Sequence, residues 1–123
     1  MTLAERTLIA AEVVGATQRK LPAEIRAHAR SVPVHYEAKP AADVLAEGFP
    51  EDILGLFTGS SHGTELEPAN PELPQIMLYL DNLWDESEQE VPAFRTEVRI
   101  TYLHELGHYL GWDEDDLTAR GLE

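Results

Sequence analysis

Two histidines stand four residues apart near the end of the chain, at His104 and His108, within the segment TYLHELGHYLGWDEDD. On a helix, residues at this spacing lie about 6 Å apart, one turn above the other, so their imidazoles project in the same direction. Two neutral imidazoles placed in this way can bind one zinc ion at about 2.1 Å. The spacing therefore predicts a metal site on one face of a helix.

A glutamate, Glu105, follows the first histidine directly. Its side chain is rotated by roughly 100° around the helix, which is too far to join the two imidazoles as a ligand. It can instead reach a water molecule bound to the metal, take a proton from that water and later pass it to a leaving amine. We therefore predict that Glu105 is the general base of a hydrolytic reaction.

An acidic run after the histidines offers the third protein ligand that zinc requires. Gly111 can adopt a left-handed conformation, end the helix and turn the chain back towards the metal. This turn brings four acids within reach, namely Asp113, Glu114, Asp115 and Asp116. The same run has an explanation without metal, because Asp113 could cap a last short helix with Asp116 in its first turn.

The composition narrows the possible ligands and partners. The 123 residues contain no cysteine, so imidazole and carboxylate groups must hold any metal. The net charge of -14 disfavours nucleic acid and anionic membrane surfaces as partners. No signal-peptide pattern and no long apolar run is present, so we expect a cytoplasmic protein with one domain over residues 1–123.

Hydrophobic periodicity predicts the elements that must position these residues. Helices are expected over Leu3–Lys20, from Pro22 onwards, over Pro40–Ala46, and from Pro92 to Gly111. Strands are expected over Val32–Glu37, Ile53–Gly59 and Gln75–Trp84, and Pro33 suits a sheet edge or the start of a strand better than a central position. This order predicts an α+β fold in which the last helix packs across one face of a small sheet.

Two of these elements carry more specific expectations. The segment Gln75–Trp84 is apolar on both faces, which is typical of an internal strand. If it lay at the sheet edge instead, it could pair with an extended substrate through main-chain hydrogen bonds. The final helix is expected to face the core with Ile100, Leu103, Gly107 and Leu110, so that the histidines flank this stripe.

Several other side chains could approach the predicted site. Tyr79, Tyr102 and Tyr109 could each donate a hydrogen bond to an oxyanion, and the sequence does not choose among them. His35 and His62 are more typical of surface or strand-edge histidines. The segment Asp85–Glu90 lacks the alternating ligands and central glycine of a calcium loop, so we interpret it as a hydrated acidic loop.

The segment Asp52–Leu117 resembles the small bacterial zincin-like metallopeptidase family. DILGLFTG looks like the leucine-glycine strand of that family, QIMLYLDNL like its central strand, and EVRITYLHELGHYLGWDEDDL like its signature helix and turn. The last segment is specific to the family, whereas the first two only support the resemblance. The resemblance implies a minimal zincin domain, with a small, mostly three-stranded sheet, an N-terminal helix and a C-terminal active-site helix.

The resemblance also implies roles for individual residues. His104 and His108 would bind one Zn²⁺ per chain, Glu105 would act as the catalytic base, and Glu114 fits the position of the third ligand. The substrate would then be a peptide or protein. A different class of function is a metal-binding or partner-binding module that no longer cleaves. Glu105 favours the enzyme, because a pure binding module needs no base, whereas the small size of the chain favours the module.

Overall fold

The computed structural model describes residues 1–59, 73–112 and 114–119, which form six helices and three strands. The predicted α+β class is confirmed, with a long helix before the sheet and another after it. In chain order the elements are α1 Leu3–Arg19, α2 Ala23–Arg30, β1 Val34–Glu37, α3 Ala42–Ala46, β2 Gly55–Thr58, β3 Gln75–Tyr79, α4 Leu80–Glu86, α5 Val91–Leu110 and α6 Glu114–Ala119.

The three strands form one mixed sheet in the order β1-β3-β2. β1 runs parallel to β3, with Val34 opposite Ile76, and β2 runs antiparallel to β3, with Leu56 opposite Met77. The expectation that β3 is internal is therefore confirmed. The prediction for Pro33, a sheet edge or a strand start, is also confirmed, because β1 lies at the edge of the sheet and begins directly after Pro33.

The predicted strand Gln75–Trp84 is wrong in its second half, because β3 ends at Tyr79 and helix α4 begins at Leu80. A continuous apolar run does not distinguish a buried strand from a buried helical turn. Leu80 and Leu83, three residues apart, are both fully buried on one side of α4. Polar contacts also support the helix, since the buried Asn82 amide donates to the carbonyls of Glu51 and Ile53 at 2.8 and 2.9 Å.

The predicted acidic loop Asp85–Glu90 is shorter than expected. Asp85 and Glu86 belong to the last turn of α4, and only the residues from Ser87 to Glu90 connect this helix to α5. Glu88 and Gln89 both adopt positive φ angles, of 57° and 60°, which reverse the chain within a few residues. This tight connection places α4 beside the beginning of α5.

Helix α5 packs between the sheet and the helices α1 and α4. The predicted core stripe is only partly right, because Ile100 is 45% exposed whereas Leu103 and Gly107 are buried. The stripe is wider than expected because partners on two sides cover the helix. Its other large buried side chains are Phe94, Val98, Tyr102, Leu106 and Tyr109.

Helix α1 covers the side of α5 that faces away from the sheet. Its buried residues Ala10, Val13 and Val14 join the same hydrophobic core as Val98 and Tyr102. The Gln18 amide donates a hydrogen bond of 3.0 Å to the Tyr102 hydroxyl, so a polar contact also links the two helices. None of the helices in the described part of the chain is long and apolar enough to cross a bilayer.

Candidate metal centre

The two histidines predicted as ligands face each other on α5. Their Nε2 atoms lie 3.2 Å apart, and the two rings are nearly perpendicular, at 88°. Two nitrogen ligands bound tetrahedrally at about 2.1 Å would lie about 3.4 Å apart. The observed separation is close to this value, so His104 and His108 fit a single zinc ion without rearrangement of the helix.

The end of α5 has the geometry that the sequence predicted for Gly111. This residue has φ 73° and ψ 23°, in the left-handed region. The N–H of Trp112 donates to the Gly107 carbonyl at 2.7 Å, and the N–H of Gly111 donates to the His108 carbonyl at 3.2 Å. These two bonds form a Schellman motif, which ends the helix two residues after the second histidine and changes the direction of the chain.

The third-ligand prediction concerns residues just after this turn. The backbone of Glu114 begins α6, so a last short helix is present, as the capping explanation of the acids requires. The side chain of Glu114 and the whole of Asp113 lie outside the described part of the chain, and Asp115 and Asp116 are exposed. The assignment of Glu114 as the third ligand therefore stays a prediction.

Glu105 is buried, with 8% of its surface exposed, and lies directly beside the histidine pair. Possible ligand atoms of His104, Glu105 and His108 all lie within 4.8 Å of one another, so the three side chains form a group that could hold a metal ion. Burial raises the pKa of the Glu105 carboxyl above its ordinary value, whereas attraction to the two histidines lowers it. A raised pKa increases the affinity of this carboxylate for a proton.

A backbone N–H from the sheet holds the Glu105 carboxylate. The donor is Phe57 of β2, and this hydrogen bond favours the ionised form of the acid. In the antiparallel ladder, Tyr79 N–H donates to the Leu54 carbonyl at 3.0 Å. Since hydrogen-bonded pairs alternate with non-bonded pairs, the backbone groups of Gly55 and Phe57 point away from β3, and the Phe57 N–H is available to Glu105.

Gly55 allows β2 to lie directly on α5. A Cβ atom at this position would be 2.7 Å from Thr101 Cγ2 and 3.3 Å from Glu105 Cγ. The first distance is too short for any real Cβ contact, so a larger residue would push the strand and the helix apart. Sequence reasoning placed Gly55 in a strand but missed this role. A glycine inside a strand signals a close approach of another segment and could have indicated it.

A cavity of about 360 Å³ adjoins the metal centre between the start of β2 and α5. It extends from His104 and Glu105 towards the N-terminal half of α5. Its walls include Ile53, Leu54, Ile100 and Glu97. The cavity therefore forms a recess beside His104 and Glu105.

The structure also places the weaker candidates. His35 lies on β1, which β3 separates from β2, and His62 lies outside the described residues. The Tyr102 hydroxyl accepts a hydrogen bond from Gln18, and the Tyr109 ring packs against Phe57 with centroids 6.0 Å apart. The buried Tyr79 hydroxyl has no hydrogen-bond partner among the described residues. The role of oxyanion donor therefore stays a prediction for each of the three tyrosines.

Comparison with known proteins agrees with this arrangement. A family model described as zincin-like metallopeptidase matches residues 29–122, which include the sheet, α5 and the turn after it. No curated protein matches the chain in sequence.

Proposed function

Because the chain belongs to the zincin-like metallopeptidase family, we propose that it is a zinc-dependent peptidase that hydrolyses peptide bonds in a peptide or protein substrate. The observation that carries the proposal is the pair of facing Nε2 atoms of His104 and His108, 3.2 Å apart beside a buried glutamate. These two histidines, with Glu114 as the third ligand, would hold one Zn²⁺ per chain.

In the proposed hydrolysis, the metal and Glu105 have different tasks. Bound zinc lowers the pKa of water and polarises a peptide carbonyl. Glu105 accepts a proton from the attacking water and then gives that proton to the leaving amine. Two features of its surroundings suit this role. Burial increases its affinity for the proton, and the Phe57 N–H keeps the carboxylate in one orientation.

The substrate would bind along β2, which is the edge strand beside α5. The alternative that assigned this role to the segment Gln75–Trp84 is wrong, because β3 is the central strand. The Gly55 N–H and the carbonyls of Gly55 and Phe57 point away from β3, so an extended peptide could add to this edge by main-chain hydrogen bonds. Such a peptide would pass next to the Glu105 carboxylate.

The test compares zinc content and peptide hydrolysis in matched variants. The protein is purified without a histidine tag, and wild type should contain about one equivalent of zinc. His104→Ala and His108→Ala should each lose stoichiometric zinc because one nitrogen ligand is removed. Glu105→Gln should keep the zinc but lose hydrolysis of a broad peptide library by orders of magnitude, because the amide cannot accept the proton.

Each deviation from this pattern has a distinct meaning. If both histidine variants retain one equivalent of zinc, the metal site lies elsewhere. If Glu105→Gln hydrolyses peptides as fast as wild type, the carboxylate is not the base. If wild type holds one zinc and cleaves no peptide in the library, the chain is a metal-binding module on this scaffold rather than a peptidase.

A further inference from the structure

The cavity beside the metal centre has aliphatic walls and, away from the histidine pair, one charged side chain. Ile53 and Leu54 contribute from the segment before β2, and Ile100 contributes from α5. Ile100 is 45% exposed, so part of its side chain is accessible to a ligand in the cavity. The charged side chain is that of Glu97, which is half-buried.

Glu97 lies on the same face of α5 as the metal centre. It precedes Thr101 by four residues and His104 by seven, so the three side chains follow one another along the helix. Seven residues correspond to about 10.5 Å along the helix axis. A substrate side chain must therefore be long to reach from the metal centre to this carboxylate.

The carboxylate of Glu97 is available for a ligand. Among the described residues it takes part in no ion pair and no hydrogen bond. A half-buried acid without a partner favours a ligand that brings a positive charge to it. The net charge of -14 acts in the same direction, because it attracts basic substrates over a longer range.

We propose that this cavity receives a substrate side chain next to the scissile bond, and that Glu97 selects lysine or arginine there. The inference rests on the proposed function, since it takes the histidine pair as the point where the substrate is held. The methylene stem of the basic residue packs along Ile53, Leu54 and Ile100, and its charged end pairs with Glu97. A short or acidic side chain makes neither of these contacts.

The test measures binding rather than turnover. Each probe joins a zinc-chelating hydroxamate to one residue, on the amino side of the chelator in one series and on the carboxyl side in the other. Within each series the residue is lysine or norleucine, which share the stem and differ at its charged end. Dissociation constants are measured on the full chain loaded with one equivalent of zinc. In at least one of the two series, wild type should bind the lysine probe about fivefold more tightly than the norleucine probe.

Glu97→Gln keeps the shape of the side chain and removes its charge. In this variant the dissociation constant of the norleucine probe divided by that of the lysine probe should fall to about one. The norleucine probe itself should bind as it does to wild type. The control is Glu24→Gln, which makes the same change on the exposed surface of α2 and should preserve the ratio. The preference of wild type should also weaken at high salt, because the Glu97 ion pair is partly exposed.

The outcomes separate this inference from the proposed function. Equal binding of the two probes by zinc-loaded wild type in both series overturns the role of Glu97, and so does a ratio that survives in Glu97→Gln. Protein that binds no zinc overturns both proposals. A charge preference that depends on Glu97, in a protein that cleaves no peptide, supports the cavity assignment and removes only the catalytic one.

Discussion

Gly55 decides how closely the edge strand β2 approaches helix α5. A methyl group at this position would overlap Thr101 Cγ2, at 2.7 Å, and would press on the Met77 carbonyl oxygen at 3.1 Å. The neighbouring Phe57 N–H reaches the Glu105 carboxylate only because the strand lies this close. The position of the proposed base therefore depends on the absence of a side chain on the opposite strand.

We expect Gly55→Ala to lower the free energy of unfolding by about 1–3 kcal/mol, because the added methyl group overpacks a buried contact. Peptide hydrolysis should fall by about tenfold to a hundredfold as the strand shifts relative to Glu105, while zinc content stays at one equivalent. Urea unfolding, zinc analysis and steady-state kinetics measure the three quantities.

A second substitution tests whether the contact with Thr101 causes the losses of stability and activity expected in Gly55→Ala. Thr101→Ser removes Cγ2 and keeps the hydroxyl group, so Gly55→Ala combined with Thr101→Ser should recover part of both losses. Gly15→Ala is the control, because this helical glycine has space for a Cβ atom, and it should be neutral or stabilise by up to about 1 kcal/mol. A double variant as impaired as Gly55→Ala would contradict the proposed cause.

The predicted third ligand, Glu114, lies after the turn that ends α5, at the start of the short helix α6. Gly111 reverses the chain through its left-handed conformation, and α6 begins three residues later at Glu114. Two explanations of the acidic run then make opposite predictions. A metal ligand is required for zinc affinity, whereas a cap on α6 is required only for the stability of that helix.

We expect Glu114→Ala to weaken zinc binding by at least about a hundredfold, a loss of roughly 3 kcal/mol. Asp113→Ala should cost about 1 kcal/mol of stability through loss of the cap, with zinc affinity nearly unchanged. Competition with a chelator measures the affinity, and thermal unfolding measures the stability. If the loss of Asp113, Asp115 or Asp116 releases zinc instead, the assignment of Glu114 is wrong, although the histidine pair is unaffected.

Packing of the helices and the sheet around one core buries tyrosine side chains on two elements. Tyr102 is completely buried and accepts a hydrogen bond from Gln18, while Tyr36 lies half-buried on β1. Burial raises the pKa of both phenols above the ordinary value of 10.0. Folding therefore keeps these groups neutral at a pH where the unfolded chain has begun to ionise.

This difference predicts alkaline destabilisation with a definite sign. Below about pH 10 both states hold the phenolic protons, so the stabilisation is fully present. As the pH rises from there towards the raised pKa values, the unfolded state releases protons that the folded state retains, and the free energy of unfolding falls. Urea unfolding at pH 7 to 11 should show this decrease, and it should be smaller in Tyr102→Phe.

The Tyr102→Phe variant has a separate cost at neutral pH. It leaves the Gln18 amide without its partner, so we expect a loss of about 1 kcal/mol at pH 7. The diagnostic quantity is the difference between the free energy of unfolding at pH 7 and that at pH 11. An equal decrease in wild type and variant would show that Tyr102 does not contribute to the alkaline transition.

The sequence by itself determined the parts of this protein that depend on short-range geometry. His104 and His108 meet because a helix returns to the same face after four residues, and Gly111 ends that helix because glycine adopts positive φ without strain. The central position of β3 followed from its apolar faces, and Pro33 indicated that β1 either lies at an edge or starts there, both of which the structure shows. The α+β class followed from the order of these elements.

Only the tertiary structure decided which strand lies beside helix α5 and which groups of that strand face Glu105. The apolar run after Tyr79 became a helix because Leu80 and Leu83 find buried contacts on one side, which the run itself does not specify. Glu105 is buried, and Phe57 of a distant segment holds its carboxylate. Contacts of this kind depend on how two segments that are far apart in the sequence pack against each other. No local pattern of residues encodes the distance between such segments.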